Sequence, residues 1–290
     1  MEIFFRFIIG LAFGSFLNVI ASRYDPDKFL FNSKSLGGRS KCDHCHKTLR
    51  WFELIPLVSY ILQLGKCRHC KARLSSGHPI GELTMGLLFA FLPERIASFG
   101  TPGASLYSPE IILWLLTAIT FYLLSAIDLR LHIVPDEGNL FLVILGALAT
   151  FVYPIKSLGV KVFSFLGPYA NLFGFQEGAW ANRLLATILA MAFFGFLILI
   201  TKGRGMGIGD LKMSVGLGLL FGWPDIAVVI GLAFIFGALL GIYLIASKST
   251  TLKTAVPFVP FLVLASFVVV FFGKEIVTAY FNILAPSLIQ

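Results

Sequence analysis

The chain has 290 residues, of which 57% are hydrophobic and only 13% charged. Soluble domains carry about 25% charged residues, so this composition excludes an ordinary soluble domain and predicts an all-α polytopic membrane protein. The net charge of +8 would suit a nucleic-acid binder, but in a membrane protein the side on which charges lie matters more than their sum.

The first apolar run, 3–21, is predicted to span the membrane. It has Arg6 near its start and Arg23 just past its end. It lacks a small-residue cleavage site and holds Gly14, Ser15 and Asn18, so it reads as a retained span and not as a signal peptide. A polar segment follows to residue 78. Further spans are expected at 79–96, 111–127, 139–153, 184–201, 211–223, 226–246 and 256–272, giving about eight transmembrane helices. Three units follow from this pass: residues 1–22 as the first membrane helix, 23–78 as a loop domain, and 79–290 as the remaining membrane domain.

Eight spans put both termini on one side. The alternate loops 22–78, 129–138, 202–212 and 247–253 hold 17 of the 23 Lys and Arg residues. The excess of basic residues on cytoplasmic loops places these four inside and both termini outside. This accounts for the basic balance with no nucleic-acid partner. Lipid is the expected surrounding.

All four cysteines lie in the first of these loops, as Cys42-Asp-His-Cys45 and Cys67-Arg-His-Cys70 with 21 residues between the pairs. Two such knuckles supply four thiolates for a tetrahedral zinc site, and a reducing cytoplasm disfavours disulfides. His44, His46 and His69 are alternative ligands. A closed four-sulfur site has no open position for substrate, so the zinc is assigned to folding.

Two aspartates stand out. Asp128 ends the third span, whose seventeen residues cover about 26 Å of a ~30 Å hydrocarbon core. Asp210 belongs to the stretch 205–212, Gly-Met-Gly-Ile-Gly-Asp-Leu-Lys, which interrupts two apolar runs. A broken segment at membrane depth has to be buried in protein or line a wet cavity. The thirteen residues after it cover only about 20 Å, so Asp210 is also expected inside the boundary. Two carboxylates at one depth on different helices suit an aspartyl dyad. Helix polarity predicts that Asp210, at a helix start with Lys212 two residues on, ionises first, and that Asp128, at a helix end, keeps the shared proton. Gly207 and Gly209 are expected to leave room for a substrate backbone. Asp136, after Pro135, competes with Asp128 but reads more simply as a turn or cap residue.

Together these pieces resemble the type IV prepilin peptidases, GxGD intramembrane aspartyl proteases. The matching residues are Gly207-Ile208-Gly209-Asp210-Leu211-Lys212, Ile127-Asp128 with Val134-Pro135-Asp136, the opening Gly14-Ser15-Phe16-Leu17-Asn18-Val19, the paired CxxC loop, Pro79-Ile80-Gly81-Glu82-Leu83 and Pro257-Phe258-Val259-Pro260. The resemblance covers most of the chain in the same order.

It implies a bifunctional enzyme of the bacterial inner membrane. Such an enzyme cleaves the basic leader from prepilins and pseudopilins on the cytoplasmic side, then methylates the new N-terminal amine with S-adenosylmethionine. The catalytic pair carries over to Asp128 and Asp210, and the metal ligands to Cys42, Cys45, Cys67 and Cys70. The zinc loop is the part linked to methyl transfer. Polar residues near it, Asn18, Arg23 and Glu82, are the methyl-transfer candidates. Glu82 would hold the substrate amine or pair with Arg23, and Asn18 would serve the site or bond another helix. No glycine-rich nucleotide fingerprint is present.

Two positions depart from the family's pattern. Gly77-His78 stand where it often has an arginine and an aromatic, and Val259 stands where it often has glycine. Other readings of the same residues are a protease without methyl transfer, an ion- or proton-coupled transporter using the two aspartates, and a membrane-tethered zinc ribbon that binds nucleic acid or protein.

Overall fold

The computed structural model describes residues 1–99, 108–152, 163–173, 178–203, 205–247 and 256–284. Among these residues the chain is helical, and the only β pairing is two isolated bridges in the cysteine loop. The long helices are α1 Glu2–Arg23, α4 Gly77–Phe99, α5 Pro109–Leu131, α6 Asp136–Val152, α8 Ala179–Thr201, α9 Ile208–Phe221, α10 Asp225–Ala246 and α11 Val259–Leu284. Short helices α2 Ser33–Leu36, α3 Val58–Leu62 and α7 Ala170–Phe173 lie between them.

Five helices, α1, α5, α8, α10 and α11, are long and apolar enough to cross a membrane, and the chain is a multi-pass membrane protein. The other three long helices coincide with expected spans but differ in character. α4 carries Glu82, Glu94 and Arg95, α6 has 17 residues and α9 only 14. Of the charges counted by side, Lys156, Lys161, Arg204, Lys248 and Lys253 lie outside the described residues.

Small residues set the packing, as expected where lipid removes the hydrophobic drive between helices. α1 and α4 run antiparallel in close contact. A Cβ at Gly14 would come within 2.7 Å of the Glu82 Cα, and one at Gly10 within 2.4 Å of the Met85 carbonyl oxygen. α6 and α9 run parallel, with Gly216 against Leu142 and Gly146 against Leu219. α9 meets α8 where Gly218 lies against the Thr187 backbone. Trp114, Phe121, Phe165 and Phe194 fill the interior.

Several boundaries differ from the sequence reading by a few residues, α8 starting five residues early at Ala179 among them, and two bear on the packing. α5 continues past Asp128 to Leu131, and the left-handed His132 closes it by donating its N–H to the Asp128 carbonyl at 2.9 Å. α11 runs twelve residues beyond the expected end at 272. Its outer turns are held by local packing, with Tyr169 stacked on Phe281 and Gly273 against the Phe165 backbone.

Candidate active site and metal centre

Asp128 sits in the last turn of α5 and Asp210 in the first turn of α9, and both are buried, at 5% and 8% exposure. The loop that follows Asp128 packs on the turn that carries Asp210, which brings the two helix ends together. The loop joining α5 to α6 closes over the same place. Val134 packs on Gly209, and the Lys212 Nζ bonds the Asp136 carboxylate at 2.7 Å. Lys212 therefore ties α9 to the start of α6 and bonds neither buried aspartate. Asp136, 72% exposed at its side chain, is a surface partner in that tie.

The glycines take distinct parts. Gly207, with its extended backbone, is the N-cap of α9 and donates its N–H to the Asp210 Oδ2 at 3.1 Å. This is the reciprocal half of a capping box, with the acid at the third helical position. A Cβ at Gly207 would meet only ordinary contacts. At Gly209 it would lie 2.7 Å from the Val134 Cγ2. Gly209 is thus required by helix–loop packing, and only Gly207 keeps an open side.

The tertiary structure makes helix polarity at the two aspartates less one-sided than residue order suggests. Asp128 ends its own helix, but its Oδ2 accepts the backbone N–H of Val259 at 3.2 Å, and Val259 opens α11. Each carboxylate therefore receives one N–H at a helix N-terminus, where the helix dipole favours an anion. One turn deeper, Asn139 of α6 is 5% exposed, and neither atom of its amide has a protein partner. Its level follows from the parallel α6–α9 pairing, which sets Leu142 beside Gly216.

The methyl-transfer candidates separate. Asn18 Oδ1 accepts from the Tyr122 hydroxyl at 2.6 Å, and its amide donates to the His78 carbonyl at 3.1 Å. Glu82 is buried and accepts the Leu57 N–H at 2.8 Å, which joins α4 to the cysteine loop. Arg23 lies elsewhere, with its guanidinium on the Gly37 and Arg39 carbonyls. Of the two alternatives for Glu82, the pair with Arg23 does not form, because Arg23 pins the loop after α1 while Glu82 bonds a different segment of it. Tyr122 was not foreseen. A single aromatic in an apolar span carries no signal until α1 and α5 are brought together.

The four cysteine sulfurs lie within 4.8 Å of one another, with Cys42 and Cys70 at 3.8 Å. A tetrahedral zinc with ~2.3 Å bonds has sulfur–sulfur edges of about 3.8 Å, so the donor set fits. The two knuckles are built alike. Cys42 and Cys67 each accept, at their carbonyls, the N–H of a left-handed residue four positions on, His46 and Lys71. One antiparallel bridge closes each, Lys41 with Thr48 and Lys66 with Arg73. Backbone N–H groups of Cys70 and His69 hold the Cys67 thiol below its ordinary value. His44, His46 and His69 are not among the clustered donors. A cleft of about 350 Å³ opens beside this centre, lined by Asp43, His44, Arg73, Ser75 and His78.

Residues 8–96 match the bacterial peptidase A24 N-terminal domain, and residues 114–242 match the type IV leader peptidase family. The chain is 30% identical to the prepilin leader peptidase/N-methyltransferase of Aeromonas hydrophila, over 94% of this chain and 92% of that protein. It is 29% identical to the protein of that name from Stutzerimonas stutzeri, over 94% and 91%, and 28% identical to that from Pseudomonas aeruginosa, over 94% and 91%. No solved structure matches. With one match spanning the cysteine loop and the other both buried aspartates, the chain belongs to the type IV leader peptidase family.

Proposed function

We propose that this protein removes the basic leader of type IV prepilins and pseudopilins with Asp128 and Asp210, and then methylates the new N-terminal amine. The observation that carries the reading is the pair of buried carboxylates on two helices, each held by one backbone N–H. One carboxylate takes a proton from the attacking water while the other protonates the scissile carbonyl oxygen, so the two begin the cycle with a single proton between them. The unbonded amide of Asn139 supports a polar, wet site, because a buried amide needs water or a peptide as partner. A prepilin's apolar helix would lie in lipid beside α5 and α9, bringing its basic leader to the boundary where these carboxylates sit.

The same reading assigns eight spans, the inner membrane, periplasmic termini and a cytoplasmic zinc loop over 23–78, with residues 1–22 and 79–290 in the membrane. Zinc held by Cys42, Cys45, Cys67 and Cys70 would order that loop. S-adenosylmethionine would supply the methyl group, and the cleft beside the knuckles is of a size to hold a small ligand, with Arg73 and Asp43 among its lining residues. His78 borders that cleft and accepts from Asn18, so Asn18 would adjoin it, while Glu82 would hold the loop to α4 through Leu57 and Arg23 would act on loop position.

Leader cleavage of a prepilin by reconstituted protein tests the reading. Asp128→Asn and Asp210→Asn should each lower the rate by about a thousandfold, in the range of acid–base catalysis. Undiminished cleavage by either variant rejects the dyad. The mass of the released N-terminus, with and without S-adenosylmethionine, tests methyl transfer separately.

A further inference from the structure

The stretch from Trp51 to Leu64 in the cysteine loop presents an apolar surface that neither activity explains. Trp51 is 77% exposed, Ile61 67%, Leu62 74% and Leu64 84%, with Leu54 and Val58 beside them. Contiguous exposed apolar residues of this kind mark a surface that meets something other than water.

Depth identifies what it meets. α1 and α4 are antiparallel, with Gly14 beside Glu82 and Asn18 bonded to His78. The Glu82 carboxylate leans towards the start of its own helix, as helical side chains do, and there accepts the Leu57 N–H at 2.8 Å. Leu57 therefore lies level with α1 between Asn18 and Gly14. That is five to nine residues, or about 8–13 Å, inward of the α1 end at Arg23. α1 has 22 residues and covers about 33 Å against a ~30 Å hydrocarbon core. At the same level α1 itself exposes Phe13 and Phe16 to lipid. Leu57 thus carries this exposed apolar part of the loop to a level near the boundary between headgroups and acyl chains. Exposed cations flank the segment, among them Arg50, Lys66, Arg68 and Lys71, at positions suited to anionic headgroups.

We propose that residues 51–64 form an interfacial element that inserts Trp51, Ile61, Leu62 and Leu64 into the lipid leaflet beside α1 and α4. The Glu82–Leu57 bond holds it there, with Leu57 at the centre of a γ-turn, φ 59° and ψ −49°, closed by the Val58 N–H on the Pro56 carbonyl. The cysteine knuckle that begins at Lys66 is thereby seated against the membrane surface. The inference rests on the membrane-spanning reading of the chain and is independent of its enzymatic activity.

The test uses the zinc-loaded full-length chain in phosphatidylcholine–phosphatidylglycerol vesicles. Nitroxide labels are placed singly at Leu62→Cys and Leu64→Cys, with Asp27→Cys as a control beyond the end of α1. The unsubstituted protein serves as a blank for the metal-bound cysteines. Accessibility to oxygen relative to a water-soluble nickel chelate should be about tenfold higher at 62 and 64 than at 27, because a polar chelate is excluded from an apolar phase. Equal ratios at all three positions overturn the proposal. So does shielding from both reagents that persists in detergent, which indicates a protein contact, or shielding that arises only when a prepilin is added, which indicates a substrate-docking face.

Discussion

At the level of single residues, the least foreseen is Val259. The family's pattern often has glycine there, and the geometry accounts for that freedom. The residue contributes a backbone N–H to Asp128, which any amino acid except proline provides. Val259 is also the first residue of α11, where proline fits the helix without strain. Val259→Pro should therefore keep the fold and delete one donor to a carboxylate. A hydrogen bond to a charged group contributes about 1.5–3 kcal/mol, so kcat should fall about 10- to 100-fold with KM little changed. Val259→Ala keeps the donor and should cleave at close to the normal rate. Steady-state cleavage kinetics of the two variants decide it, and equal losses would assign the effect to packing. Two arginines also read differently once placed. Arg130 donates to the Ala21 carbonyl at the end of α1, and the buried Arg183 donates to the Leu220 carbonyl at the end of α9. Each neutralises a helix C-terminus as well as contributing to the charge balance.

Among the helices, a second polar knot holds the end of the bundle opposite the cysteine loop. Asp225, fully buried at the start of α10, accepts the Ser164 hydroxyl and the Phe165 N–H, the latter at 2.7 Å. Asn182 of α8 bonds the Trp223 backbone in both directions, at 2.8 and 2.9 Å. These contacts clamp the segment before α7 onto the α8–α9–α10 group. Asp225→Ala leaves two buried donors without their acceptor and should destabilise the protein by about 1–3 kcal/mol for each. Thermal unfolding in detergent measures this, and an unchanged midpoint would show that water replaces the carboxylate. At the crossing of α1 with α4, Gly14→Val pushes a side chain into the Glu82 backbone and should cost about 1–3 kcal/mol by overpacking. The same melts, with release of the Leu57 segment followed by hydrogen exchange, check it.

Across the whole molecule, the cysteine centre and the aspartate pair are built on different supports. The four cysteines cluster in a loop with little apolar core, whereas the aspartates are fixed by packed helices. Chelation should expose residues 41–73 to protease at the rate of an unfolded chain, and metal analysis should return one zinc per chain before treatment. Leader cleavage should outlast the loop, and methylation should not. Cleavage that fails in step with loop opening would place the loop in the peptidase reaction.

Much of this was legible in residue order. Composition marks a membrane protein because lipid requires long apolar helices, and paired CxxC knuckles mark a metal site because their spacing is local. Asp128 and Asp210 stand out because charge is rare in such spans. What residue order did not carry is every feature that depends on which helices become neighbours. That Gly209 packs on Val134, that Glu82 meets Leu57 and not Arg23, and that Asp128 gains its own helix N-terminus from α11 are products of antiparallel and parallel contacts between segments up to 131 residues apart. Periodicity and charge report the environment a segment requires. Only tertiary packing decides which partner supplies it.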